Sequence, residues 1–539
     1  MDAHRASLSA HAWRALTYGV PLAFLAVFFA YPLVSILERG LGSGENVASP
    51  LDVLTDPLTR EVVWFTLWQA VASTVLTVAI ALPASYVLGR HTFRGRNAAM
   101  AAVTVPFVLP TVVVALAFLA VLPEDLERGW AAILIAHAFF NVAVVVRVVG
   151  TFWSELDPQV SEAAATLGAS PARSFREVTL PLLAPALAAA SSIVFLFSFT
   201  SFGIVLVLGG PRYSTLETEI YNQAVRMFDL RAAAVLALLQ LACVALAVWA
   251  ATRLERRLAL GGHRQSERDV LRPLRTRGER AFAAASLVPL AIFLGVPLVV
   301  VVERSLAVGD GHSLKAYRAL GRPTDALLAT PWEAVVNSVV YAAGAAVIAL
   351  VVGGLAAFAV AGSRGRATWL LDGSLMLPLG ASAVMLGFGF VIAFDSEPID
   401  FRSSPWIVPV VQALVAIPFV IRIVAPTLRA IDERQREAAA VLGASPVRVR
   451  REIDLPVAGR ALGVAAGFAF AISLGEFGAT VFLARPDSPT LPVAIFRFLG
   501  RPGELNAGQA YALAVILMAV VAVSVFSMER IRALRAGWF

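Results

Sequence analysis

The chain has 539 residues, 58% of them hydrophobic and only 15% charged, with a formal net charge of +7. Soluble domains carry about 25% charged residues, so this is not one soluble globule, and its apolar content excludes disorder. The single cysteine, Cys243, excludes a disulfide framework and an all-cysteine metal site, and an arginine-dominated positive charge reads as a topology signal rather than as nucleic-acid binding.

A spanning helix needs about 20 mostly apolar residues. Twelve segments qualify, near 15–37, 62–88, 98–122, 130–150, 182–208, 231–252, 281–302, 334–362, 368–394, 405–427, 461–484 and 508–529. The first follows Arg14 and has no small-residue cleavage site, so it reads as a retained span. Pro106, Pro110, Pro378 and Pro418 are expected to kink their spans.

Positive charge in short loops marks the cytoplasmic side. Arg90, Arg94 and Arg96 follow the second span, Arg364 and Arg366 the eighth, and Arg530, Arg532 and Arg535 the last. Acids dominate the loops after spans one, three and nine: Glu38, Glu45, Asp52, Asp56 and Glu61; Glu124, Asp125 and Glu127; Asp395, Glu397 and Asp400. Both termini are therefore expected in the cytoplasm. Residues 253–280 hold nine arginines, four acids and Gly261-Gly262, the composition of a solvated cytoplasmic tether near anionic lipid.

A duplication organises the rest. Residues 162–181 read EAAATLGASPARSFREVTLP and residues 437–456 read EAAAVLGASPVRVRREIDLP, identical at fourteen of twenty positions with an offset of 275. A fixed-period duplication marks a repeated structural unit. It divides the chain into a first repeat, 1–252 (core 62–252, loop 157–181), the linker 253–280, and a second repeat, 281–539 (core 334–529, loop 432–456). Both copies follow even-numbered spans and fall in the cytoplasm. Asp157 is an N-cap with Pro158 at N1; Gly168 suits the stop after a helix of about ten residues, or about 15 Å. Asp432 and Gly443 are equivalent. Ser170-Pro171 and Ser445-Pro446 open a second helix carrying Arg173, Arg176 and Glu177 or Arg448, Arg451 and Glu452, which Leu180-Pro181 and Leu455-Pro456 are expected to close.

The pattern E-A-A, three residues, Gly, nine residues, Ile-x-Leu-Pro resembles the signature of membrane subunits of bacterial binding-protein-dependent ABC importers. Glu437, Ala438, Ala439, Gly443, Ile453, Leu455 and Pro456 match it in full; the first copy has Val178 in place of Ile. The resemblance implies an all-α membrane protein of about twelve transmembrane helices, two homologous six-helix repeats of the ABC importer type I fold, in the bacterial inner membrane. Each loop would be a coupling helix seated in one of two copies of a cytoplasmic ABC ATPase, through Glu162, Ala163, Ala164, Gly168, Pro171, Leu180 and Pro181 and through Glu437, Ala438, Ala439, Gly443, Pro446, Leu455 and Pro456. An extracytoplasmic solute-binding protein would deliver the cargo. Fusion of both repeats into one chain resembles the permeases of thiamine and ferric-iron importers. Phe65-Thr66-Leu67-Trp68-Gln69-Ala70, Ala136-His137-Ala138-Phe139-Phe140-Asn141, Ser201-Phe202-Gly203, Leu208-Gly209-Gly210-Pro211 and Thr215-Leu216-Glu217-Thr218-Glu219-Ile220-Tyr221 resemble the thiamine type most.

The chain itself is expected to bind no cofactor or metal. A nucleotide-binding P-loop needs G-x-x-x-x-G-K-[ST], and the sole lysine, Lys315, has no such context; ATP and Mg would act through the ATPase. No clustered ligands or nucleophile elbow suggest an enzyme. A secondary transporter driven by an ion gradient, also with two six-span repeats, is the alternative.

The offset continues past the loops, pairing Ser198 with Ser473, Gly203 with Gly478 and Thr215 with Thr490. Spans five and eleven are thus equivalent and are expected to line the pore. Ser201 is matched by Glu476, and a carboxylate within a span costs about 2.5–3.5 kcal/mol, so Glu476 is expected to face a path for a cation. Ser198, Ser201, Ser473 and Asn141 are further path candidates, with His137 and Thr200 as hydrogen-bonding neighbours.

Overall fold

The computed structural model describes residues 2–42, 49–258, 271–309, 311–362, 365–395, 401 and 404–533. Gly261, Gly262 and the loop charges Glu45, Arg364, Glu397, Asp400 and Arg535 lie outside these. In chain order the helices are α1 (Trp13–Leu41), α2 (Pro57–Arg90), α3 (Arg96–Val108), α4 (Thr111–Val121), α5 (Trp130–Glu155), α6 (Pro158–Thr166), α7 (Pro171–Phe199), α8 (Gly203–Leu208), α9 (Leu216–Tyr221) and α10 (Leu230–Leu258). There follow α11 (Arg277–Leu306), α12 (Lys315–Ala319), α13 (Pro331–Gly362), α14 (Arg366–Gly380), α15 (Ala383–Ala393), α16 (Ile407–Arg429), α17 (Glu433–Val441), α18 (Pro446–Gly475), α19 (Thr480–Leu483), α20 (Leu491–Leu499) and α21 (Glu504–Ala533). Two strands of two residues, β1 (His91–Thr92) and β2 (Arg272–Pro273), pair in parallel.

Ten of these helices are long and apolar enough to cross a membrane. The third and ninth expected spans are instead bent pairs, α3 with α4 at 101° and α14 with α15 at 93°. At the first break Leu109 is extended (φ −72°, ψ 141°) because it precedes Pro110, which disfavours helix at the residue before it. At the second, Ala381 is extended and Ser382 restarts the helix, its Oγ accepting from Met385 N at 3.0 Å. Pro378 and Pro418, expected to be kinks, sit inside α14 and α16. The expected spans 182–208 and 461–484 also stop early, at Phe199 and Gly475, where the chain breaks before short helices.

Two compact units form, residues 51–219 with 239–304, and residues 1–50 with 220–238 and 305–539. They do not follow the halves 1–252 and 281–539 read from the duplication. Helix α1 belongs with second-repeat helices: Trp13 packs edge-on to Phe358 at 5.8 Å, and Tyr18 shares a hydrogen bond with Thr368 at 2.8 Å. Helix α11 belongs with first-repeat helices, its Phe293 packed on Phe118 and Phe139. Local patterning dictates which residues form a helix, not which neighbours it joins.

In the second-repeat unit the core lies between α13, α16 and α18. Ala458, Ala461, Ala465 and Ala469 form one buried stripe of α18, and Ala413, Ile417, Val420 and Val424 one stripe of α16. Lipid removes the hydrophobic drive between helices, so small residues that permit close approach hold them by dispersion. In the first-repeat unit α2 and α5 pack through Gly89 and Gly150. The polar face of α2 is buried but satisfied in part by its own helix, Thr66, Thr77 and Ser85 donating to the carbonyls of Val62, Ser73 and Ala81 at 2.6–2.8 Å.

A Cβ on Gly89 would lie 2.5 Å from the Gly150 carbonyl oxygen, whereas Gly295 in α11 has nothing within 4 Å. Gly89→Val should lower stability by about 1–3 kcal/mol, while Gly295→Ala should be neutral or mildly stabilising. Thermal unfolding of the two variants in one detergent checks this; equal midpoints would contradict the packing.

Candidate functional site

The duplicated loops form the same part twice. Asp157 Oδ1 accepts from Gln159 N at 2.8 Å and Asp432 Oδ1 from Arg434 N at 3.0 Å, starting α6 and α17, each nine residues long. Each helix ends on a left-handed glycine, Gly168 at φ +84° and Gly443 at φ +83°. The terminal carbonyls are closed by paired backbone bonds. Gly168 N donates to Ala165 O at 2.9 Å and Ala169 N to Ala164 O at 3.0 Å; Gly443 N donates to Ala440 O at 3.0 Å and Ala444 N to Ala439 O at 2.9 Å. This is the Schellman arrangement, which needs φ above zero at the glycine. Ala163, Ala164, Ala438 and Ala439 therefore lie in the last turns of α6 and α17, where Ala164 O and Ala439 O accept capping bonds and Ala163 O and Ala438 O accept from Leu167 N and Leu442 N, each at 3.1 Å.

Ser170 and Ser445 then cap the next helix, each Oγ accepting from a backbone N–H at 3.3 Å, with Pro171 and Pro446 at N1. Arg173 pairs with Glu177 at 3.1 Å and Arg448 with Glu452 at 2.9 Å. Leu180-Pro181 and Leu455-Pro456 do not close this helix as expected. One continuous helix runs through to Phe199 or Gly475. A π-turn just before each proline, Phe175–Thr179 and Arg450–Asp454, widens the helix there, and the proline's missing N–H needs no partner in the loosened turn.

The residues missed by sequence reasoning are Leu167 and Leu442, which follow the last helical residue of each loop at equivalent positions. Leu167 is 88% exposed and Leu442 87%. Each is an apolar side chain bared at the tip of a polar helix, and the signal was a leucine unchanged between the two copies of the duplicated phrase.

The copies differ in one respect. Glu162 Oε1 accepts from Arg272 Nη2 at 2.5 Å, while Glu437 is exposed with no ion pair among the described residues. Arg436 instead pairs with the buried Asp454 at 2.8 Å. Beside Arg272, burial holds the His91 ring below its ordinary histidine value.

Of the path candidates, Asn141 and Ser198 fall in the first-repeat unit. Gln69 Nε2 donates to Ser198 O at 2.9 Å, and one turn along α2 Ser73 bonds His137 Nδ1 at 3.0 Å, with Asn141 one turn beyond His137. These faces of α2, α5 and α7 make a buried polar layer, in which the Asn141 amide and Ser198 Oγ have no hydrogen-bond partner among the described residues. Thr200 turns back on its own helix, donating to Leu196 O at 2.8 Å, and Ser201 is buried in the break after α7. Gln69, Ser73 and the fully buried Glu217, hydrogen-bonded by Gln240, are polar groups of this interior that sequence reasoning did not name as path candidates.

Ser473 and Glu476 fall in the other unit, and Glu476 is not within a span. It occupies the break after α18, and its carboxylate caps α19: Oε1 accepts from Ala479 N at 2.7 Å and Oε2 from Thr480 N at 3.0 Å. Thr480 Oγ1 donates to the Glu476 carbonyl at 2.9 Å. The same turn packs against α15, where a Cβ on Gly387 would lie 2.7 Å from Ala479. Both carboxylate oxygens are therefore engaged by backbone rather than presented bare.

Residues 81–260 and 285–534 match the family described as the binding-protein-dependent transport system inner membrane component. The chain belongs to this family. Among the relatives of this inner-membrane component is the thiamine transport system permease protein ThiP of Brucella abortus (strain 2308), 28% identical over 543 residues, 97% of each chain. ThiP of Escherichia coli (strain K12) is 28% identical over 86% of this chain and 88% of its own. A putative 2-aminoethylphosphonate transport system permease protein, PhnV of Salmonella paratyphi A, is 29% identical over 47% of this chain and 95% of its own. That last relative is half as long, so the fused chain corresponds to two such components joined. The relatives are transport permeases, and this chain is likewise a multi-pass membrane protein with its family's domain present twice.

Removing the Glu476 cap leaves two buried donors unpaired. Glu476→Ala should cost about 2 kcal/mol, and Glu476→Gln, which keeps one acceptor oxygen, clearly less. Thermal unfolding in detergent measures both; an Ala variant as stable as the parent would contradict the cap.

Proposed function

We propose that this chain is the membrane-spanning permease of an ATP-driven importer, and that α6 and α17 are its coupling helices. The single observation carrying this is the pair of capped nine-residue helices that present Leu167 and Leu442 bare at their tips. Each would enter a cleft of a cytoplasmic ABC ATPase, one ATPase copy per helix. Apolar anchors seated in a pocket and ringed by polar contacts carry most of the energy of such interfaces; Glu162 and Glu437, with Arg173 and Arg448, would supply the ring. ATP and Mg would act in the ATPase, since the sole lysine lies outside any phosphate-binding loop. ATP-driven closure of the ATPase pair would pull on both helices, and the continuous α7 and α18 would carry that motion into the membrane. Both termini and both loops would lie in the cytoplasm, and an extracytoplasmic binding protein would hand over the cargo.

The cargo we propose is thiamine. The support is similarity along 97% of this chain and 97% of a thiamine permease. The polar layer of Gln69, Ser73, His137, Asn141 and Ser198, rather than Glu476, is the first-repeat interior it would pass; neutral hydrogen-bonding groups bind a cation loosely enough to release it.

In proteoliposomes with the cognate ATPase and binding protein, thiamine uptake should require ATP. Leu167→Asp with Leu442→Asp should weaken ATPase association by at least about tenfold, about 1.4 kcal/mol, and abolish coupled uptake without preventing insertion. Uptake driven by an ion gradient without ATP would overturn the reading. Uptake of ferric iron in place of thiamine would overturn the cargo alone.

A further inference from the structure

Residues 271–276 of the linker fold back onto the first loop helix. Three contacts hold it. Arg272 and Pro273 pair in parallel with His91 and Thr92, immediately after α2. Arg272 Nη2 donates to Glu162 Oε1 at 2.5 Å. Downstream, Glu279 Oε2 accepts from Arg275 N at 2.8 Å and Thr276 N at 2.9 Å, while Thr276 Oγ1 accepts from Glu279 N at 3.1 Å. This last set is a capping box, and it fixes where the strap leaves α11.

Among the described residues, the strap is anchored firmly only at that end. Arg272 and Glu162 are 59% and 55% exposed, and an ion pair so exposed adds little to stability. The strand pair is two residues long. Between strap and helix lies a cavity of about 510 Å³ bounded by Tyr86, Arg90, Pro158 and Ala165, so little side-chain packing would be lost on release. Glu162 is the first acid of the first duplicated phrase, and its equivalent Glu437 has no such partner among the described residues. The two loop helices are alike in caps, length and exposed leucine, yet among the described residues only the first has the glutamate of its E-A-A phrase held by the linker.

We propose that the Arg272 strap is an inhibitory latch: it occupies Glu162 of the first coupling helix in the free permease and must give up that carboxylate when the ATPase seats. The inference rests on the coupling reading of α6. It makes the two ATPase sites unequal, with the first engaged only after the strap yields. The linker of a fused chain then does more than join two repeats, because it sets the order in which the helices are gripped.

The test fixes the latch shut and then removes it. In the full chain carrying Cys243→Ser, Thr92→Cys and Pro273→Cys place two thiols on neighbouring parallel strands, within disulfide reach. Oxidation should weaken ATPase association by about tenfold, and reduction should restore it. Arg272→Ala, an exposed change, should tighten association by about threefold, and should have no further effect in a Glu162→Ala background. Unchanged binding in both the locked chain and Arg272→Ala would reduce the strap to a passive tether, and weaker binding in Arg272→Ala would make it part of the docking surface; either result overturns the latch. Leu167→Asp with Leu442→Asp is run in the same assay. If those variants also bind normally, the coupling reading itself has failed; if they bind poorly while the strap variants do not differ from the parent, only the latch has.

Discussion

In the coupling role proposed for α6 and α17, a helix that transmits force must end sharply. If α6 or α17 ran on as helix, or frayed, its tip would wander and any push would be absorbed by bending. Gly168 and Gly443 prevent this. At φ near +84° a side chain would be strained, but glycine adopts the conformation freely and lets two backbone donors close the terminal carbonyls. The stop also sets the exposure of Leu167 and Leu442, since it turns the chain away just after each leucine. The rest of each loop follows from this turn. Ser170 and Ser445 restart the helix two residues later, and that helix then continues without interruption into α7 or α18. The short loop helix and the long helix after it are therefore separated by one glycine corner.

Inside the membrane a different constraint rules. Lipid offers no hydrogen bonds, so each buried polar group must find its partner within the protein. Serine and threonine of α2 turn back on their own helix. The breaks are closed in the same way in both repeats. Thr66 Oγ1 accepts from Leu216 N at 3.0 Å, and Ser338 Oγ accepts from Leu491 N at 2.6 Å, so α9 and α20 are each pinned at the N-terminus by the helix that opens their repeat's core. At the break after α18, Glu476 plays that part with a charged group. Among the described residues, the buried polar atoms left without a hydrogen-bond partner include the Asn141 amide and the Ser198 and Ser473 hydroxyls.

The twin loops were legible in the sequence because capping is local chemistry. Asp157, Gly168 and Ser170 each act within a few residues of themselves, so spacing alone placed both helix ends. The closure expected at Leu180-Pro181 was not found, because a π-turn accommodates proline without ending the helix, and nothing in the residues 175–179 announces one. Glu476 was assigned to a span because the apolar run continues past it; only the backbone shows that the helix stops at Gly475 and that the carboxylate feeds two N–H groups. The exchange of α1 and α11 between units was not legible at all. It depends on contacts such as Trp13 with Phe358 and Phe293 with Phe139, more than 150 residues apart in the chain, and hydropathy carries no record of partners at that distance. The contact of Arg272 with Glu162 is of the same kind.

The most direct test of the central claim is photo-cross-linking from a benzoyl-phenylalanine placed at position 167 or at position 442, in membranes containing the full chain and its ATPase. The account predicts that both positions cross-link to the ATPase and that ATP changes the yield at both. Cross-links to lipid alone, or none from either position, would contradict it.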